Sequence, residues 1–534
     1  MKKKSNLFQT NKIVGKDWLK YHPNTSPTDN YYIVLCNKVL KIIQKPGIAI
    51  FLNEADDEKE LACMLVSYFE DVISETRLFS SFTRQHKQMY GKELPFYEFT
   101  DEYYDDEINL YDIYFLIWYY LSVGVENYVI DPLFEGDKAF FKSVLEIYNL
   151  FESEFEKAPQ NENLQQFLQL SAGSNVETVR GKLTFIACHS YLWHAFFDDF
   201  FHDVINKYKK NETVVLDEKS EMDIYDQRVL FIFNICMPLL SMRANEYYAA
   251  ILGEEHSEYQ FIKNISKRIM GCFLLLKIES DGYLIEHLTS KKQIWLSNEY
   301  TAFEDIKLIE NETVLYISLV EWTKDVWQNQ GGCIMLKIDE MKGKDLSKHL
   351  FEDEGRNLEI LQEYEKAFLD ITNGKRIVYL RGVHEYADFY IKMSRIHAEN
   401  TKKTVTDNEL DEKYNTIIET HKKNKPFEKD EPVGIFFNPY RGMETFRERL
   451  VSGMSDQSNP HYANKVIDVC NLLTVKAFSK EFINYAIDNK LINLGVDEFE
   501  SPKMFDVVMK NLDFLLRFYR LSDYFPKPVI GVSE

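Results

Sequence analysis

The hydrophobic period of this chain changes near Cys272, and that change limits the folds open to it. Before Cys272 the apolar residues recur at helical spacing. "EKELACMLVSYFEDVI" sets Leu61, Leu65, Tyr68, Val72 and Ile73 on one helical face. "LYDIYFLIWYYLSV" is apolar nearly all round, which predicts a core helix. Further helices are expected near Lys138–Lys157, Gly181–Tyr208, Asp223–Leu252 and Tyr259–Met270, in a bundle joined by short connections. After Cys272 the pattern becomes short apolar runs: "CFLLLKI", "GYLIEHL", "KQIWLS", "TVLYISLVEW" and "GGCIMLKI". Asp281-Gly282 between two of them is a hairpin signal. These runs predict a small antiparallel sheet or barrel of about five strands.

Helical spacing returns after Met341 in "RNLEILQEYEKAFLDIT" and "EYADFYIKMSRIHAEN". Glu399–Pro432 is highly charged and reads as a solvated helix with a linker. "PVGIFFNP" reads as a strand stopped by Asn-Pro, and Asn464–Tyr524 as helical. The expected fold is mainly α, of the α+β kind: a helical bundle, an inserted small antiparallel β module, and a C-terminal helical region. The expected domains are 1–271, 272–340, 341–432 and 433–534. A chain of 534 residues exceeds what one core usually serves. Its 45% hydrophobic and 14% aromatic residues exclude global disorder.

The formal net charge is −22, which repels phosphate backbones, so nucleic acid is not an expected partner. A nucleic-acid face on the β module would need Lys291, Lys292, Trp295 and Lys307 together. The seven cysteines are widely spaced with no C-x-x-C, which points to buried free thiols in a reducing compartment rather than a zinc ribbon. "MKKKSNLFQTNKIVGKDW" is basic with no apolar stretch behind it, so no secretory signal is expected. "VLFIFNICMPLL" is too short to span a bilayer, and no membrane association is expected. P-loop, dinucleotide, serine-hydrolase and H-E-x-x-H signatures are all missing.

"HSYLWHAFFDDFFHDV", from His189 to Val204, holds three histidines and three aspartates. Read as one helix over Gly181–Tyr208, it advances about 100° per residue. His194, Asp198 and His202 then fall at about 0°, 40° and 80°, a stripe that could converge on a divalent metal. Trp193, Phe197, Phe200, Phe201, Val204 and Tyr208 form the opposite, buried face, with His189 on that apolar side. The stripe is therefore expected to face water, and no cofactor is expected. A helical di-metal site would want paired Glu-x-x-His motifs, and the chain has none.

"DEYYDDEINLYD" carries Asp101, Glu102, Asp105, Asp106 and Glu107 without the glycine and order of a calcium loop. It reads as an acidic helix start. "SMRANEYYAAI" offers Arg243 and Glu246 as pocket residues or as members of a buried polar network. "FFNPYRGMETFRERLVSGMSDQSNPHY" offers Arg441, Glu444 and Arg447 as binding residues on a strand-to-helix connection. His384 and Asp388 form an i,i+4 pair that reads as structural.

Four phrases carry a resemblance. They are "DWLKYHPNTSPTDNYY", "ELPFYEFTDEYYDDEINLYDIYFLIW", "FFNPYRGMET" with "NPHY", and "FLLRFYRLSDYFPKP". In this order they resemble a domain-of-unknown-function family found largely in gut-dwelling anaerobic bacteria, over most of the chain. The resemblance implies a bacterial cytoplasmic protein and brings no activity and no functional residue. Members of that family carry less charge after the final Asn-Pro turn than "RERLVSGMSDQ" here. The function expected from the residues is non-catalytic binding of another macromolecule, a protein partner first, in an accessory or defence-related role. The rival expectation is an enzyme with an unrecognised site in the N-terminal bundle.

Overall fold

The computed structural model describes residues 12–52, 54–99, 103–125, 128–134, 136–210, 213–214, 217–288, 291–298, 303, 308–341, 354–402, 404–424, 431–496 and 502–524. The chain is mainly α, with an inserted small β barrel and C-terminal helices. It divides into two compact units, Met1–Val125 with Ile130–Phe351, and Glu126–Val129 with Glu352–Glu534.

In the first unit the apolar stretches fold as helices. Helix Ala55–Ile73 starts where the Glu54 amide donates to the Asp57 carboxylate at 2.9 Å, which meets an otherwise orphaned donor. Helix Leu110–Ser122 is buried over most of its surface, with Phe115, Leu116, Ile117 and Trp118 wholly enclosed and Tyr111 exposed near its start. Each such aliphatic or phenyl side chain contributes about 1.5–3 kcal/mol through its burial. Asp137 caps helix Lys138–Glu154 by accepting from the Phe140 amide at 2.8 Å.

Three of the expected helices are shorter than their hydrophobic pattern. Gly181–Tyr208 is two helices, Val176–Cys188 and Tyr191–Asn206. The amides of His189 and Ser190 both donate to the Phe185 carbonyl, at 2.9 and 2.8 Å, and the Ser190 hydroxyl closes on the Ile186 carbonyl at 2.6 Å. The Ser190 carbonyl then accepts from His194 at 2.9 Å and starts the second helix. Side-chain angles counted across this joint do not hold. Asp223–Leu252 also divides, into Glu218–Asn234 and Ala244–Leu252, around the segment holding Pro238, whose nitrogen has no hydrogen to donate. Tyr259–Lys263 is a short helix, and Ile269–Met270 already belongs to the first barrel strand.

The barrel is closed. Its strands are Ile269–Glu279, Gly282–His287, Gln293–Ser297, Thr313–Thr323 and Val326–Lys337. They run around it in the order first, second, third, fifth, fourth and back to the first. The third and fifth pair in parallel and the others antiparallel. Phe273, Leu275, Ile285, Ile294, Leu296, Leu315, Ile317 and Leu319 fill the interior, following the two-residue alternation of each strand. Helix Glu218–Asn234 holds the barrel. Asn234 exchanges two hydrogen bonds with the Arg268 backbone, and the Arg268 guanidinium meets Asp226 at 2.6 Å. Among the described residues no helix is long and apolar enough to cross a membrane.

In the second unit, strand Pro432–Asn438 lies between Ile377–Arg381 and Gly442–Arg447, all antiparallel. One face packs Leu380, Ile435 and Phe437 on Phe368, Phe389 and Met393 of helices Glu354–Ile371 and Gly382–Thr401. The other sets Phe436 and Phe446 against Phe482 of helix Lys480–Asp488.

Candidate functional site

His194, Asp198 and His202 lie on one helix, Tyr191–Asn206, in different surroundings. His194 sits in the first turn after the His189–Ser190 joint and is buried, not wet. Its Nδ1 lies 3.0 Å from the Cys188 carbonyl, and its ring stands edge-on to Tyr21 at 4.7 Å. Asp198 and His202 are exposed, and His202 Nδ1 accepts from the Asn206 amide at 3.0 Å. Among the described residues no group of three His, Cys, Asp or Glu side chains is placed to hold a metal ion. The phenylalanines of this helix, Phe197, Phe200 and Phe201, are only half-buried.

Arg243 and Glu246 tie down a helix start. The Arg243 amide donates to Glu246 at 2.8 Å, and its guanidinium reaches Glu246 at 3.1 Å and the Ile265 carbonyl at 3.2 Å. In the second unit, "FNPYRG" is a hairpin turn, not a strand-to-helix connection. Asn438 Oδ1 accepts from the Tyr440 amide at 2.8 Å, and Gly442 takes φ +82°, where a side chain would be strained. Arg441 pairs with Asp523 at 2.8 Å. Glu444 instead accepts from Ser479 at 2.6 Å and Asn438 at 2.7 Å, and burial raises its carboxyl above the usual range. Arg447 directly precedes helix Glu448–Gly453 without a side-chain hydrogen bond capping it. These contacts fasten the hairpin to the C-terminal helices.

Lys291 pairs with Glu286 at 3.4 Å, and Lys292 lies over the Trp327 ring rather than that of Trp295. Lys307, Asp101 and Glu102 lie outside the described residues. His384 bonds Tyr414 at 2.9 Å, rather than serving the Asp388 pair expected of it.

A different set of residues does converge. Helices Val176–Cys188 and Glu218–Asn234 wall an open cavity of about 440 Å³ bordered by Pro23 and Asn24. Phe167, Phe185, Val229 and Ile232 make its apolar lining, with Phe167 edge-on to Phe185 at 5.4 Å. Arg180, Arg228, His189 and Tyr225 supply polar groups, together with Asn24, Thr184 and the Glu177 carboxylate. The Arg180 guanidinium donates to the Tyr225 hydroxyl. Arg228 Nη2 donates to His189 Nε2 at 3.4 Å, while Arg228 Nε is buried with no hydrogen-bond partner. Among the described residues neither guanidinium is ion-paired.

The His189 ring is fixed from both sides. Its Nδ1 donates to the Lys20 carbonyl at 3.0 Å, which leaves Nε2 as the acceptor facing Arg228. Burial holds its pKa below the ordinary imidazole value, and the Arg228 charge adds to that against the Lys20 hydrogen bond. The neighbouring Cys188 thiol is pushed up to about 11 by burial, with Arg228 opposing. A concave, largely apolar space with a few convergent polar groups is the usual form of a ligand site.

Arg180, Arg228 and Tyr225 are not among the site residues expected from the sequence. A signal was present. Tyr225, Arg228, Val229 and Ile232 recur at i, i+3, i+4 and i+7, so an arginine interrupts an apolar helical stripe. Glu177, Arg180, Gly181 and Thr184 repeat that spacing on the facing helix.

No curated protein and no solved structure matches the chain. Residues 12–272, which carry every helix lining the cleft, match the model of the family DUF3843, described as a protein of unknown function.

Proposed function

We propose that this chain is a non-catalytic binding protein whose N-terminal helical region captures an anionic group of a macromolecular partner in the cleft between helices 176–188 and 218–234. The observation that carries the reading is Arg228. Its Nε is buried at the cleft with no hydrogen-bond partner, while the guanidinium bears on the Cys188 thiol and on His189, and the second guanidinium, Arg180, is not ion-paired although Glu177 lines the same cleft. A buried donor left unmet costs about 1–3 kcal/mol, which a carboxylate or phosphate oxygen would offset. The apolar lining suits a hydrophobic neighbour of that anion. A Cys188 thiol pushed up by burial beside Arg228 supports binding over nucleophilic chemistry. The setting proposed is the cytoplasm of a gut-dwelling anaerobic bacterium, as the sequence resemblance implies. The seven free cysteines support a reducing compartment. An accessory or defence-related role is compatible with that setting.

The test is capture of partners from lysate by the wild type and by Arg180→Ala/Arg228→Ala, with circular-dichroism melting to verify folding. The expected outcome is a reproducible partner lost from the double variant at unchanged melting. Capture that ignores the substitution overturns the reading.

A further inference from the structure

A second cavity of about 440 Å³ is lined by Lys12, Lys16, Lys20 and Lys59 together with Asp17, Asp56 and Glu60. Its carboxylates are committed. Asp17 accepts from the Val14 amide at 3.0 Å, Asp56 holds Lys59 at 3.0 Å, and Glu60 holds Lys20 at 3.0 Å. Lys12 and Lys16 are exposed and have no carboxylate partner among the described residues. Four lysines around one hollow depart from a chain whose net charge is −22.

One short segment, Lys20–Asn24, contributes residues to both cavities. Lys20 and Tyr21 line the lysine cavity, and Pro23 and Asn24 line the arginine cleft. The carbonyl of Lys20 is also what fixes His189 of the cleft. This segment is held firmly. Trp18 is wholly buried and donates to Asp29 at 3.1 Å, and buried His22 meets Glu70 at 2.5 Å. Cationic groups therefore stand on both sides of a rigid five-residue ridge, Lys20–Asn24.

We infer that the lysine cavity and the arginine cleft form one track for an extended acidic peptide segment, with carboxylates on Lys12 and Lys16, others on Arg180 and Arg228, and an apolar side chain against Phe167 and Phe185. The inference rests on the cleft reading above and extends it across the ridge. A peptide suits the track better than a nucleic acid. Asp17, Asp56, Glu60 and Glu177 are interspersed along it. Spaced carboxylates pass between such groups, whereas a continuous phosphate backbone meets them and the net negative surface. Guanidinium forks match carboxylates in paired hydrogen bonds.

The experiment is fluorescence anisotropy with a fluorescein-labelled peptide of alternating Glu and Leu, about 12 residues and so about 40 Å when extended. A peptide with Gln for Glu and an oligothymidylate of similar length serve as comparisons. The expected result is binding of the Glu peptide alone. Lys12→Glu/Lys16→Glu and Arg180→Ala/Arg228→Ala should each weaken it about tenfold. Both lysines are exposed, so their substitution leaves folding intact, and melting curves verify this. Binding lost only in the arginine variant overturns the track and leaves the cleft reading standing. Binding unchanged in both variants overturns both. No binding of the Glu peptide, or tighter binding of the oligothymidylate, overturns the track.

Discussion

Asp112 is buried in the helical bundle, where Tyr68 donates to its carboxylate at 2.7 Å and Tyr103 and Asn109 donate as well. Burial dominates those hydrogen bonds and pushes its carboxyl from 3.8 up to about 7. Within that window the folded protein holds a proton that the unfolded chain releases. Stability from this group is therefore full below the unfolded value and is lost as pH rises toward 7. Urea unfolding at pH 5 and pH 8 should show the wild type losing about 2–3 kcal/mol more than Asp112→Asn over that interval. Equal losses in the two proteins would sink the assignment. The sequence shows "DEYYDDEINLYD" as one acidic run, and Asp105, Asp106 and Glu107 are indeed exposed. Which acid turns inward is decided by Tyr68, on a different helix, and no local pattern carries that. Arg228 is a similar case: its spacing is visible in the sequence, but its unmet Nε depends on what packs around it.

Among the elements, periodicity was a good guide wherever one period ran without a joint. Helix Leu110–Ser122, strand Pro432–Asn438 and the barrel strands follow their patterns closely. The joint at His189–Ser190 was hidden because apolar residues continue through it. A hydroxyl closing on a carbonyl four residues back turns the chain there without glycine or proline. That joint sets His189 toward Arg228, whereas His194, Asp198 and His202 stay on one continuous helix. The strands Ile377–Arg381 and Gly442–Arg447 were missed, the second because its charged residues mask a strand pairing with "PVGIFFN". The hairpin at Asp281-Gly282 was found through its Gly, but the Gly has another purpose. Glu279 pairs with Gly282, so Ser280 and Asp281 make the turn. A Cβ on Gly282 would stand 2.2 Å from the Leu296 carbonyl oxygen and 2.8 Å from the Trp295 ring. The carbonyl belongs to the paired strand and cannot rotate aside. Gly282→Ala should therefore cost about 1–3 kcal/mol, read as a lower urea midpoint. An unchanged midpoint would mean that the third barrel strand shifts freely.

For the whole molecule, the net charge of −22 sets a background of self-repulsion that the compact state must bear. The ion pairs in the first unit offset little of it. Lys20–Glu60 and Lys38–Glu154 each keep an exposed lysine and contribute about 0–1 kcal/mol. Two positions run against the background: the unpaired guanidiniums of the cleft and the lysines across the ridge from them. Cations gathered in concave places of an anionic chain neutralise less of its surface than scattered ones would. Raising sodium chloride from 0.01 to 0.1 M shortens the screening length from about 30 Å to about 10 Å. At 0.1 M the repulsion between distant carboxylates is largely gone, while contacts of 3 Å persist. The melting temperature of the chain should rise by about 1–3 °C over that range, measured by circular dichroism at fixed pH. A fall would mean that attractive pairs outweigh the net charge, and that the acidic surface is organised into networks.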